Sequence, residues 1–437
     1  MKQVDRFYGT VQMIATLLAL ATLGSCGGGS GANTPAGDTA PAGPTVPTAV
    51  SEALKAGALP DPALVAADNG FGLALLDSLI PTATGNVAIS PLSVAMVLQI
   101  VYNGAAGTTQ TAMAQTLQLG GLTPAALNGE NAALQASLIN ADPVVQVTIA
   151  NSLWMHLNTN PVLSSFVQTD QTYYGATIGD LSGAPGNVNV WISAETQGLI
   201  AQILPPGPAS EYQRIIAVIA NAVYFKGQWT TAFDASQTAS AAFTLADGSQ
   251  TQASLMHQSG SYPYLQGNWQ GIAFQALRIP YGTGRLSMLI VLPAPGTSIG
   301  PFVASMTAAA LAGWTAQLQI GAGSIALPRF STAYGTSLVP ALSVLGMGVA
   351  FCTSNAADFA ALAPRTCLSD VEHKTVVEVD EAGTVAAAAT TVTVSPTVVV
   401  ASPPPFRMIM DHPFFYAVQD DLTGELLFIG ILAQPSG

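Results

Sequence analysis

Residues 378–406 read EVDEAGTVAAAATTVTVSPTVVVASPPPF, and the fold turns on what this tract is for. Between Glu381 and Arg407 it carries no charge and consists almost entirely of Ala, Thr, Val, Ser and Pro. A surface connection is ordinarily polar and rich in turn formers, whereas this one is rich in β-formers until its late prolines. Residues of a strand alternate between faces. One face would carry Thr384, Ala386, Ala388, Thr390, Val392 and Val394, the other Val385, Ala387, Ala389, Thr391 and Thr393. Neither face holds a large or charged group, so the tract fits between two existing strands without burying a charge. Gly383 supplies a hinge at its start, and Pro396 sets the far limit because it cannot donate to a central ladder. The same composition also describes a low-complexity linker or an aggregation-prone segment. The tract alone leaves those readings open.

The chain around it has 437 residues, enough for one large domain or two ordinary ones. Charged residues make up 8% of it, against about 25% in an average soluble domain. The net charge is −13, which argues against nucleic acid, whose binders present basic stripes. Beyond the N-terminus no run of ~20 apolar residues lacks Gly, Pro or polar interruptions. The hydrophobicity comes from alternation of apolar residues with Thr, Ser, Gln and Gly, as in a sheet-rich protein with a neutral polar surface.

The N-terminus reads as an address. Lys2 and Arg6 precede a short apolar core at residues 11–23, the pattern of a secretory signal. It ends in Leu23-Gly24-Ser25-Cys26, which resembles a bacterial lipoprotein box, so the expectation is a signal over 1–25 and a lipid on Cys26. An ordinary signal with an incidental Cys is the alternative. Several acyl chains anchor stably where one does not. Residues 26–50, rich in Gly, Pro and Ala, are expected to form a tether, leaving 51–437 as the folded domain. Cys352 and Cys367 permit a disulfide in an exported chain, worth about 3 kcal/mol by loop entropy; two separate thiols are the alternative.

In the body, Leu64, Phe71, Leu75 and Leu79 recur at helical spacing over 61–80. In the next stretch, 86–119, a short strand runs into Ser90-Pro91, a helix start with Pro in its first turn. The helix that follows is apolar nearly all round and is expected beneath a sheet.

From here the chain resembles the serpins, piece after piece in that family's order. The pieces are VTIANSLW at 147–154, YYGA at 173–176, NVW at 189–191 with TQGLI at 196–200, and NAVYFKGQW at 221–229 with Phe233. IPY at 279–281, LSMLIVLP at 286–293, PRF at 328–330, DHPFF at 411–415 and TGELLFIG at 423–430 follow. Each is short, but together they span roughly residues 60–436, and HKTVVEVDEAGT at 373–384 resembles the strand that leads into the serpin reactive loop. The resemblance implies one mixed α+β domain with three β-sheets and about eight or nine helices. It makes residues 381–406 an exposed loop able to insert into the central sheet.

It also implies a mechanism. A serine protease attacks the loop as substrate and forms an acyl ester on its own Ser. The cut loop then inserts as an extra strand, carrying the protease with it before hydrolysis, and the stored strain is the function. The hinge residues implied are Glu381, Gly383, Thr384, Val385, Ala386, Ala387, Ala388, Ala389 and Thr390. Val385 departs from the family, where Glu is common. The usual spacing from Gly383 places the cut at Thr397-Val398, with Val399, Val400 and Ala401 completing the window; counting back from Pro413 lands instead on Ser402-Pro403, where Pro resists cleavage. Small apolar residues there suit an elastase-like or subtilisin-like protease.

Ser90, Ser93, Asn221 and His373 resemble the family's hydrogen-bonded shutter under the opening of the sheet, and Trp229 the residue packed where the loop first enters. For His373 an ordinary core histidine or a catalytic base are the other readings. No G-x-x-x-x-G-K-[ST] loop or H-E-x-x-H helix occurs in the body and the cysteines lack zinc spacing, so neither an enzyme nor a cofactor or metal is expected. The expected partners are serine proteases and, through the lipid alone, a membrane. The chain is expected to be a monomer. A non-inhibitory serpin that binds at a surface, or an inhibitor of cysteine proteases, are the alternatives.

Overall fold

The computed structural model describes residues 46–83, 85–139, 141–384 and 404–435. Its centre is a six-stranded sheet in the order Phe330–Ser337, Asp370–Val379, Ala217–Gln228, Val145–Met155, Thr177–Asp180, with the short strand Gly383–Thr384 added beside Ala217–Gln228. The pieces VTIANSLW at 147–154 and NAVYFKGQW at 221–229 supply two neighbouring strands of this sheet, with Trp229 just past the end of Ala217–Gln228. Strands Val145–Met155 and Ala217–Gln228 run antiparallel in unbroken register from Val145↔Gly227 to Met155↔Ala217.

Beneath the sheet lies helix Pro91–Tyr102, whose residues are all buried. Ser90 caps it by accepting from the Ser93 N–H at 3.4 Å, and Pro91 takes the first helical position, where no amide proton is needed. The spacing over 61–80 becomes helix Pro62–Leu79, capped by Asp61 accepting from Ala63 N–H at 2.8 Å. Leu64, Phe71, Leu75 and Leu79 are buried on it.

The remaining strands form one nine-stranded network. The 20-residue strand Gln250–Trp269 pairs with Gln319–Pro328 over Leu255–Tyr264 and with Ile272–Pro280 over Tyr264–Trp269. This long strand joins two of the three expected sheets into a continuous ladder, so among the described residues hydrogen bonding alone separates two networks. Eleven α-helical segments occur among the described residues, more than the eight or nine expected. The excess lies in short turns such as Ala209–Tyr212, Ile299–Ala304 and Val339–Val344, which have too few residues to leave a periodic signal.

One boundary is corrected. Helix Thr48–Ala56 begins inside the stretch read as tether, 26–50, and Val50 on it is fully buried in a cluster with Ala132 and Ala136. Small apolar residues look like linker in sequence, yet burying one Val offsets about 1.5 kcal/mol or more of ordering cost. Among the described residues no helix is long and apolar enough to cross a membrane.

Candidate functional site

Two neighbouring strands of the central sheet, Asp370–Val379 and Ala217–Gln228, run parallel, in register from Asp370↔Val218 to Thr375↔Val223. Among the described residues that ladder ends there. Higher up, the same edge of Ala217–Gln228 is met by Gly383–Thr384, antiparallel, with Gly383↔Gln228 and Thr384↔Gly227. The other edge is already filled, since Gly227 also pairs with Val145. The chain therefore leaves Asp370–Val379, turns back, and sets its first two residues at the mouth of a seam.

The turn is tightly held. Asp380 accepts through its carboxylate from the amides of Ala382 (2.9 Å) and Gly383 (3.1 Å), and its own N–H donates to Gly383 O at 2.9 Å. Trp229 donates from its indole to Asp380 O at 2.9 Å and from its amide to Ala382 O at 3.0 Å. Its ring stacks on Tyr281, centroids 4.3 Å apart and 11° from parallel, with Phe233 edge-on at 6.1 Å. Gly383 has φ +147°, and a Cβ there would lie 2.1 Å from Gly227 O and 2.7 Å from Gln228 Cα. Only glycine lets the two backbones approach so closely. Glu381 accepts from Thr238 Oγ1 at 2.7 Å and pairs with the Arg329 guanidinium. Burial alone would raise its carboxyl, but these two donors outweigh it and hold the pKa below the ordinary value.

Lower in the seam, Ser90, Ser93, Asn221 and His373 meet in one fully buried cluster. The Ser90 N–H donates to His373 Nε2 at 3.3 Å, so that nitrogen carries the lone pair and Nδ1 carries the proton, donated to Asn221 Oδ1 at 2.8 Å. The Asn221 amide donates to Ser93 O at 3.1 Å, to Ser93 Oγ, and to Asn151 Oδ1 at 2.6 Å. Burial pushes the imidazole down to about 3, so it is neutral at ordinary pH. With both ring nitrogens engaged and no access from outside, His373 is not placed to act as a base on a substrate.

Arg329, Thr238, Tyr281 and Asn151 are partners that sequence reading did not assign. Arg329, Tyr281 and Asn151 stand inside the quoted motifs PRF, IPY and VTIANSLW, but a motif does not say which charge or ring meets which across a sheet. Cys352 and Cys367 are joined in a disulfide, Cα–Cα 4.9 Å. Val385, Ala386, Ala387, Ala388, Ala389 and Thr390, the window Thr397, Val398, Val399, Val400 and Ala401, and Cys26 lie outside the described residues.

Comparison with known proteins agrees with this arrangement. The family described as "Serpin (serine protease inhibitor)" matches residues 66–435. Serpin B9 of Homo sapiens is 30% identical over 380 residues, covering 84% of this chain and 98% of its own length. Serpin-Z2A of Triticum aestivum is 32% identical over 398 residues, covering 84% and 94%. Among solved structures, the thermophilic serpin tengpin in its native state superposes with a TM-score of 0.76 at 25% identity, over 85% of this chain and 94% of that one. Human thyroxine-binding globulin, in complex with thyroxine, superposes with a TM-score of 0.74 at 25% identity, over 86% and 99%. The chain belongs to the serpin family, a family described as serine protease inhibitors and not as catalysts.

Proposed function

We propose that this protein is a suicide-substrate inhibitor of serine endopeptidases with small apolar primary specificity, of elastase-like or subtilisin-like kind. The observation that carries the reading is the seam. A chain whose first hinge residues already run antiparallel along Ala217–Gln228 has only to continue in the same direction to become a full strand. The tract that would follow is small and uncharged through Ala401, the end of the cleavage window, so insertion buries no charge and forces no bulky group into the sheet. Cleavage within 397–401 would free it; the acyl ester remains on the protease Ser while the strand inserts, and trapping depends on insertion outrunning hydrolysis.

The test is to mix the purified body, residues 47–437, with an elastase and with a subtilisin and to examine the products by denaturing gel and intact mass. A detergent-stable adduct with the summed mass, less a released C-terminal peptide, is the expected result, and that peptide fixes the scissile bond. Clean cleavage that leaves the protease active would favour a non-inhibitory serpin; an adduct formed only with a cysteine protease would move the target class.

The N-terminal residues support a second part of the reading, export with lipid attachment at Cys26 and display of the body as a monomer on a short tether. Labelled fatty acid should enter the full chain and be absent from Cys26→Ser, which should then leave the membrane fraction.

A further inference from the structure

The fold buries a second group of polar residues that the seam does not use. Asp68, on helix Pro62–Leu79, and Glu425, in the turn before strand Leu426–Leu432, are both fully buried, as is Gln99 on helix Pro91–Tyr102. Their neighbours bring them together: Asn69 donates to Gly424 O at 2.9 Å and accepts from Leu426 N–H at 2.9 Å, so the residues flanking Asp68 and Glu425 are stitched to each other. Gln99 donates to Asp68 Oδ1 at 2.7 Å. That leaves Asp68 Oδ2, both Glu425 oxygens and Gln99 Oε1 buried with no hydrogen-bond partner among the described residues.

Two buried carboxylates cannot both remain charged with oxygens unpaired, because an uncompensated interior charge is far more costly than a protonated acid. The nearby cations are committed elsewhere. Arg285 holds Asp420 with bonds of 2.9 and 3.0 Å, and Arg278 pairs with Asp421 at 3.2 Å. The remaining groups are neutral or acidic: Tyr174 donates its OH to Asn128 at 2.7 Å, and the charges of Asp68 and Asp170 both oppose its ionisation. A metal ion does not fit, since among the described residues no group of three or more His, Cys, Asp or Glu is placed to hold one.

We infer that Asp68 and Glu425 share one proton, and that this proton fastens helix Pro62–Leu79 to the C-terminal hairpin, so that the native fold is tightened by acid and loosened by alkali. The helix carrying Gln99 is the one that presents Ser90 and Ser93 to the seam, so loss of the proton acts on the floor beneath the central sheet. Burial pushes both carboxyls above their ordinary range, Asp68 to about 8 against the bond from Gln99, and for Glu425 the charges of Asp68 and Asp420 add to it.

The test compares thermal unfolding of the unvaried body with Glu425→Gln and, as a second and independent variant, Asp68→Asn, from about pH 5 to pH 9, together with infrared spectra of the unvaried protein at neutral pH. One proton held by the native state and released on unfolding makes the unfolding constant rise about tenfold per pH unit above the ordinary carboxyl range. Both variants should lose that part of the slope, and the unvaried protein should show a protonated-carboxyl carbonyl band that diminishes in either variant. Parallel slopes in all three proteins would overturn the inference, as would absence of the band or its insensitivity to both substitutions.

Discussion

His373 and Asn221 stand opposite each other in the parallel ladder and are joined side chain to side chain, Nδ1–H to Oδ1 at 2.8 Å, across the seam between Asp370–Val379 and Ala217–Gln228. Any strand that entered the full length of that seam would have to break this bond. Asn221 is tied in turn to Ser93 and Asn151, so the bond is one part of a satisfied buried network, in which each member is costly to remove alone.

Asn221→Ala should therefore destabilise the native body markedly. It strands the His373 Nδ1–H, and deprives Ser93 and Asn151 of a donor, at about 1–3 kcal/mol for each buried group left unpaired. Chemical or thermal unfolding measures this; a change within ~0.5 kcal/mol would show that the network contributes little.

The neutral state of His373 predicts an acid limb. Its folded pKa lies at about 3, below the unfolded value of 6.5, so between those pH values the unfolded chain binds a proton that the native one refuses. Stability contributed by this group is present above pH ~6.5 and falls as pH drops toward ~3, by up to about 1.4 kcal/mol per unit. Glu372, pushed up to about 8 by burial first and by Asp370 second, acts with the opposite sign above the ordinary carboxyl range. His373→Gln, which does not titrate, should flatten the acid limb alone; an unchanged limb would assign it to other groups.

Gly383→Ala should detach the hinge from the sheet. The added carbon would meet Gly227 O at 2.1 Å, and φ +147° is strained for any L residue, so the Gly383↔Gln228 pairing must open. Expected outcomes are faster amide exchange at 382–384 and fewer trapped complexes per cleavage. Unaltered exchange would mean that this contact does not hold the hinge.

Thr384→Arg tests insertion itself. If the tract becomes a central strand, the guanidinium must enter the sheet without a partner, and cleavage should then lead to turnover rather than to a stable adduct. Stoichiometry of inhibition should rise severalfold while the rate of loop cleavage stays the same. Trapping at the unvaried stoichiometry would remove the inserted-strand account.

Sequence by itself determined the elements whose signal is local. The buried helix Pro91–Tyr102 follows from an apolar run behind a Ser-Pro start, and the strands Ala217–Gln228 and Val145–Met155 from β-forming residues in familiar motifs. It also singled out Gly383, where the structure brings the backbone against Gly227 and Gln228, since small residues bracketed by Glu381 and a β-forming run leave a readable pattern. What only the tertiary structure decided is which residues meet. That Glu381 finds Thr238 and Arg329, that Trp229 stacks on Tyr281, that Val50 is core and not tether, and that Asp68 and Glu425 are both buried all depend on contacts between segments far apart in the chain. Hydrophobic periodicity reports the face a residue turns inward; it holds no record of what waits on the other side, and the burial and pairing that set a charge or a pKa exist only once distant strands and helices have packed.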